Sequence, residues 1–498
     1  MTSSSDEEIT AIPAARLCEL VRRRALSPVE IMEAHLGRAA KLNRALNAIV
    51  AFAPDALAQA RAAERAVMSG ARVPALHGLP VTIKDTIDTA ALRTTSGSRT
   101  RARRVPEADA PAVRRLRAAG AIVYGKTNCS ELAIDYDADN PVHGRTNNPH
   151  DLARTPGGSS GGCAAAVGAC LSPASLGSDL VGSIRIPAHF CGVAGLFPTP
   201  GRVPTSGHFP PTEGTLAAAA SLGPLARTVE DLALLFDALT HDEDHAAQVV
   251  SHTNERDRMT TSEGRLAVSE IRLRGLRVAA YTDDGRVRAS EETERAVESA
   301  ASALAAAGLE VVHTRPPEIE GASDLWLALF PQIVVEIVRA EFAGREELAG
   351  AAAGAILRRR ERTTAPAVAF ENNADAWAKR ERLRRSLLER MRATPLLLAP
   401  VGAVAAYAHG ARKVEVRGVE INAFRAFGFA QACNVYGLPA ATVPAGRMRE
   451  GLPVGVQLIG RPLEERLVLA AARVVEAASG GGWQRPSPAL PSERDNPL

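Results

Sequence analysis

Apolar residues recur at helical spacing in "AARLCELVRRRAL" and "SPVEIMEAHLGRAAKLN", so residues 11 to 50 read as helices. Ser27 followed by Pro28 supplies an N-cap and a first-turn proline for the second of them. The period then changes. In "LHGLPVTIKDTID" a short β-branched run ends at Lys84, as a buried strand would. "DAPAVRRLRAAGAIVYGKTN" reads as helix, glycine stop and strand, and "SEETERAVESAASALAAAGLEVVHT" repeats that order. "YGLPAATVPAG" and "GLPVGVQLIGRP" predict two more strands, and "LEERLVLAAARVVEAA" predicts an amphipathic closing helix. Alternation of this kind predicts an α/β fold, a sheet flanked by helices.

The same patterns divide the chain. Residues 1–75 are expected to form a helical region packing on a core, and 76–240 the core that carries the reacting groups. "THDEDHAAQVVSHTNERDRMTTSEGR" is polar without a strong apolar period, so 241–265 is expected to be a surface connection. Residues 266–390 continue the α/β pattern into a helical, Arg-rich stretch from 320 to 390 that suits a cap over a site. Residues 391–480 return to the core, and 481–498 form a Pro/Ser-rich tail. No tandem repeat of the solenoid kind is present.

Composition narrows the function. A chain of 498 residues, 46% hydrophobic, can bury a large core, and its net charge of +3 comes from interspersed charges. No sustained basic field points to nucleic acid, so a small-molecule substrate is expected. "MTSSSDEEIT" does not resemble a signal peptide, and no apolar run of membrane-spanning length is evident, so a cytoplasmic protein without a membrane partner is expected. Cys18, Cys129, Cys163, Cys170, Cys191 and Cys433 show neither CxxC nor finger-like spacing, which predicts buried reduced thiols and implies no metal or cofactor.

Lysine usage adds candidate chemistry. Lys41, Lys84, Lys126, Lys379 and Lys413 are the only lysines among 59 basic residues. Arginine stays protonated at any working pH, whereas a desolvated lysine can lose its proton, so Lys84 at a strand end is a candidate base. The plainer alternative pairs it with Asp85 or Asp88, and Lys126 in "YGKTN" reads as structural. In "TPGGSSGGCAAAVGAC", Ser159 and Ser160 stand at the start of an alanine-rich helix. In "LGSDLVGSIRIPAHFCG", Ser183 follows Gly182 where several N–H groups could converge on an oxyanion, or where a sharp turn is held by an Asp179–Arg185 ion pair.

"GLPVTIKD", "GKTNCSELAIDY", "TPGGSSGGCAAAVG", "LGSDLVGSIRIPAHFCGVAGLFPT" and "GLPVGVQLIG" occur in the order and spacing of the amidase signature family, which the chain resembles from about residue 10 to 478. The resemblance implies one large domain with a mixed central sheet, flanking helices and a helical cap. It implies Ser183 as nucleophile, Ser159 as a bridging serine on a cis peptide bond and Lys84 as base. The N–H groups of Leu180, Val181, Gly182 and Ser183 would form the oxyanion hole, with Ser160, Asp179 and Arg185 behind them. By the same analogy Asp135, Tyr136 and Arg202 would contact substrate. Leu180 and Val181 depart from the commoner threonine or isoleucine and glycine, and would add an apolar wall beside the scissile carbonyl. Trp326, Phe330 and Trp377 could line that wall or pack in the core.

These readings predict a stand-alone amidase, monomeric or homodimeric, that hydrolyses amides, aryl amides, carbamates (urethanes) or esters through an acyl-serine. The alternative within the family is a glutamine-hydrolysing subunit of a tRNA-dependent amidotransferase complex. A Ser/His/Asp esterase also remains open, because "GGSSG" matches G-x-S-x-G at Ser159.

Overall fold

The strands are β1 (Ile49–Phe52), β2 (Pro80–Lys84), β3 (Ile122–Thr127), β4 (Ala174–Asp179), β5 (Ala194–Phe197), β6 (Ser221–Ala226), β7 (Arg277–Ala280), β8 (Glu310–His313), β9 (Leu396–Pro400), β10 (Lys413–Val416), β11 (Val419–Asn422), β12 (Ala440–Arg447) and β13 (Pro453–Ile459). Eleven of them make one sheet in the order β1-β3-β2-β4-β6-β5-β12-β13-β9-β7-β8, and β10 pairs only with β11. This computed structural model describes residues 6–240, 267–361, 370–480 and 483–486. The polar connection expected at 241–265 and most of the expected tail lie outside them.

The sheet is mixed. β3, β2 and β4 run parallel, as do β8, β7 and β9, while the remaining neighbours are antiparallel. β2 ends at Lys84, where its β-branched run stops, and every one of its residues is buried. Helix Gly161–Gly168 crosses from β3 to β4 and is itself fully buried, which explains its glycines and alanines: larger side chains would hold it off the sheet. Helix Pro28–Leu46 starts as predicted, with the Ser27 hydroxyl accepting from Val29 N–H and the Glu30 carboxylate from Ser27 N–H. The N-terminal region is not wholly helical, however. Asn47 ends that helix in the left-handed conformation (φ 51°), and "IVAF" pairs with β3 as an edge strand.

Helices Ala322–Leu329, Pro331–Phe342, Ala351–Glu361 and Phe370–Ala393 form the cap region. By length and composition alone, Pro317–Phe342 is apolar enough to cross a membrane, with mean hydropathy 1.4, contrary to expectation. Pro331 divides it into two helices, and its apolar side chains face other partners. Leu325, Leu329 and Phe330 pack in the core, and Val338 and Phe342 join Leu132 and Ala353 in a small separate cluster. The Glu131 carboxylate fastens the cap to the core by accepting from Gly350 N–H (2.9 Å) and Ala353 N–H (3.3 Å) at the start of a helix.

Candidate active site

At the C-terminal end of β2, Lys84 is completely buried, and its Nζ lies 2.6 Å from Ser159 Oγ and 2.9 Å from Ser178 Oγ. Neither aspartate nearby takes it. Asp85 accepts from Thr95 N–H (3.1 Å), and Asp88 binds Arg104 through both oxygens. Burial pushes the Lys84 ammonium down to about 8, so a neutral amine is within reach near physiological pH. Lys126 is driven to about 8 by the same cause, but its three N–H donors meet Ile87 O, Thr89 Oγ1 and Thr94 Oγ1, which makes it a structural tie.

Ser159 follows a cis Gly158–Ser159 peptide and stands one residue before the N-cap, Ser160, of helix Gly161–Gly168. A side chain at Gly158 would place its Cβ 2.5 Å from the Asp135 carbonyl oxygen, so that contact admits only glycine. Ser160 ties the serine pair to the end of β4: its N–H donates to Ser183 O (3.2 Å) and its hydroxyl to Ser178 O (3.1 Å). The Ser183 hydroxyl has no hydrogen-bond partner among the described residues and opens on the same cavity as Ser159.

Between β4 and Ser183, Gly182 takes φ +102°, a conformation that favours glycine. Of the four N–H groups expected to converge there, that of Gly182 donates to Asp179 Oδ1 (2.7 Å). Those of Leu180, Val181 and Ser183 have no acceptor among the described residues, so three of the four N–H groups are unpartnered. Asp179 takes the fourth because a buried carboxylate needs its acceptor sites filled. Asp179 and Arg185 pair at 3.0 Å with no exposure of either side chain, and Arg185 also donates to Ala430 O, Gln457 Oε1 and Asn434 Oδ1. Burial would raise the Asp179 carboxyl, but the Arg185 guanidinium outweighs it and holds the group below its ordinary value. The ion pair and the turn are thus one device that frames the loop before Ser183. Arg185→Ala would strand the buried Asp179 charge, and a loss of about 3–5 kcal/mol in denaturant unfolding is expected.

The cavity, about 450 Å³, is lined by Ser159, Ser178 and Ser183 together with a mostly apolar wall. Leu180, Val181, Tyr136, Phe424 and Trp326 belong to that wall, and the cap contributes Val334, Ile337 and Ile356. Two side chains hold the loop by its carbonyls: Tyr136 O–H donates to Val181 O (2.7 Å) and Trp326 Nε1–H to Leu180 O (3.4 Å).

The sequence profile of the amidase family matches residues 30–469. The chain belongs to the amidase signature family. It is an amide-hydrolysing enzyme, a carbon–nitrogen hydrolase. Its sequence is 35% identical to the A subunit of glutamyl-tRNA(Gln) amidotransferase from Anaeromyxobacter sp. (strain K), covering 96% of this chain and 99% of that one. Its fold resembles the crystal structure of an amidase (TM-score 0.80, 29% identity, 94% and 99% of the two chains). It also resembles a bacterial aryl acylamidase of the amidase signature family (TM-score 0.80, 25% identity, 98% and 99%).

In this amidase Asp135 and Tyr136 line the cavity, and Asp135 is already paired with Arg412 at 2.7 Å. Arg202 does not line it; its N–H donates to Thr199 O in a turn beyond β5. Of the three aromatic candidates only Trp326 reaches the cavity. Phe330 is fully buried behind it, and Trp377 packs edge-on against Phe330 at 6.0 Å. Ser178 and His208, which the motifs did not single out, both border the cavity, with His208 Nε2 2.9 Å from Ser178 Oγ. No histidine bonds Ser159 or Ser183 among the described residues, so the geometry gives a Ser/His/Asp triad no support. Because Val181 forms wall and donor loop together, Val181→Gly is expected to shift kcat/KM between small and bulky acyl groups while an acyl-enzyme still forms. Unchanged ratios across an acyl series would remove Val181 from that role.

Proposed function

We propose that Ser183 attacks the substrate carbonyl, that Ser159 relays its proton to neutral Lys84, and that the amine leaves with a proton returned along the same path. The acyl-Ser183 ester then meets water, and the relay runs again to release the acid. The observation that carries this reading is the 2.6 Å contact between a fully buried lysine and Ser159, on a cavity where Ser183 has no competing partner among the described residues. A serine hydroxyl is a weak nucleophile until its proton is taken, and a second hydroxyl can both accept and donate that proton. The open N–H groups of Leu180, Val181 and Ser183 would stabilise the tetrahedral oxyanion.

We read the enzyme as a stand-alone cytoplasmic hydrolase of small amides, aryl amides, carbamates or esters with apolar acyl or aryl parts. The apolar wall supports that choice, since Asp135 and Arg412 neutralise each other at the rim. The alternative, a glutamine-hydrolysing component of an amidotransferase, is favoured by the 35% identity to the amidotransferase relative. A panel of anilides, carbamates, esters, primary amides and glutamine, assayed on the isolated chain, separates the two. Hydrolysis of apolar amides without a partner supports the first; activity confined to glutamine and dependent on added amidotransferase partners overturns it. Mass spectrometry after a sulfonyl fluoride should find the label on Ser183.

A further inference from the structure

A neutral lysine amine has two N–H groups and one lone pair. Lys84 Nζ faces two hydroxyls at similar range, Ser159 at 2.6 Å and Ser178 at 2.9 Å, and each can donate or accept. On the reading above, which this inference rests on, the lone pair must meet the Ser159 O–H. Were Ser178 to donate instead, the base would be blocked.

Ser178 has a second neighbour that settles its direction. His208 Nδ1 lies 2.7 Å from the Pro210 carbonyl oxygen, which can only accept, so the ring proton of neutral His208 sits on Nδ1. Nε2, 2.9 Å from Ser178 Oγ, is then an acceptor, and the hydrogen between them belongs to the serine. Ser178 therefore donates to His208 and accepts from Lys84. We propose that His208 is a positioning residue that, by taking the Ser178 hydroxyl proton, turns the Lys84 lone pair towards Ser159.

The loop bearing His208 is built to hold this register. Asp88 N–H donates to Gly207 O (2.8 Å) and Phe209 N–H to Thr86 O (2.8 Å), lacing residues 207–209 to the segment directly after Lys84. Burial, then the Lys84 charge, pushes the His208 imidazole down to about 4, against smaller opposing pulls from the Pro210 carbonyl and then Asp88, so the ring stays neutral across the working range.

The test is a double-mutant cycle with kcat and KM read separately. His208→Ala should lower kcat by about tenfold or more with KM within about twofold. His208→Gln, which keeps an acceptor near the Nε2 position, should restore most of that loss. The Ser178→Ala/His208→Ala pair should match Ser178→Ala alone, because without the hydroxyl nothing competes for the lone pair. If His208→Ala fails to fold, His208→Met keeps bulk without a strong acceptor and is read the same way. A kcat within twofold of wild type for either variant, losses that multiply in the pair, or no recovery with Gln would each overturn the proposal. Lys84→Met and Ser183 labelling are run alongside: if they behave as expected while the cycle fails, only the role of His208 falls.

Discussion

Ser183→Ala is expected to lower kcat by about 10⁴-fold or more on every amide, ester and carbamate the wild type accepts, while thermal unfolding barely moves. The two halves of that expectation come from the same fact. The Ser183 hydroxyl has no partner among the described residues, so its removal orphans no buried group and leaves a void no larger than one oxygen atom. Chemistry, by contrast, loses the atom that forms the acyl bond, and only residual stabilisation by the loop N–H groups remains. Ser159→Ala should cost less, about 10²- to 10³-fold, because a water in the vacated space can carry the proton between Ser183 and Lys84. That ordering separates the present reading from a G-x-S-x-G esterase, in which Ser159→Ala would be the more severe change. Equal loss of covalent labelling in both variants, or labelling that survives Ser183→Ala, would refute the assignment.

How much of this was legible depended on distance along the chain. Lys84 stood out because lysine is scarce and because a β-branched run ends on it, and both signals are local. Ser159, Ser160 and Ser183 were visible for a similar reason: helix starts and glycine turns are written in three or four consecutive residues. His208 and Ser178 were not, since their contact joins a loop after β5 to the end of β4 across 30 residues, and a lone histidine carries no mark of its partner. Arg202 shows the converse error. It follows the motif block closely in sequence, yet it sits in a turn closed on Thr199 O and does not line the cavity. β1 was absorbed into a helical reading because four residues are too few to show a period, and pairing with β3 decides their state. The apolar stretch at 317–342 was likewise ambiguous, because a cavity wall and a core helix demand the same composition.

Lys84→Met carries the other large expectation, and activity and stability should move in opposite directions. The base works only as the neutral amine, so wild-type kcat should rise with pH through about 8, where burial places the group, and fall roughly tenfold per pH unit well below it. Lys84→Met should leave about 10⁻³ of the activity or less at every pH. For stability, the folded value of about 8 lies below the ordinary 10.5, so the unfolded chain binds the proton more readily between them. The penalty is therefore complete below about pH 8 and fades as pH rises towards 10.5, amounting to about 3 kcal/mol at neutral pH. Methionine removes that penalty and gives up two hydrogen bonds to serines, leaving a gain of about 1–2 kcal/mol at pH 7 that disappears near pH 10. Lys126 is the internal control, since it is buried as deeply and lowered to the same value but does not line the cavity. Lys126→Met would remove three buried hydrogen bonds, to Ile87 O, Thr89 Oγ1 and Thr94 Oγ1, and should destabilise the fold, yet whatever folds should keep the wild-type limb near pH 8. If that limb moves with Lys126 instead, or if Lys84→Met turns over substrate at pH 9 as fast as wild type, the base is a different group and the relay through Ser159 has no terminus.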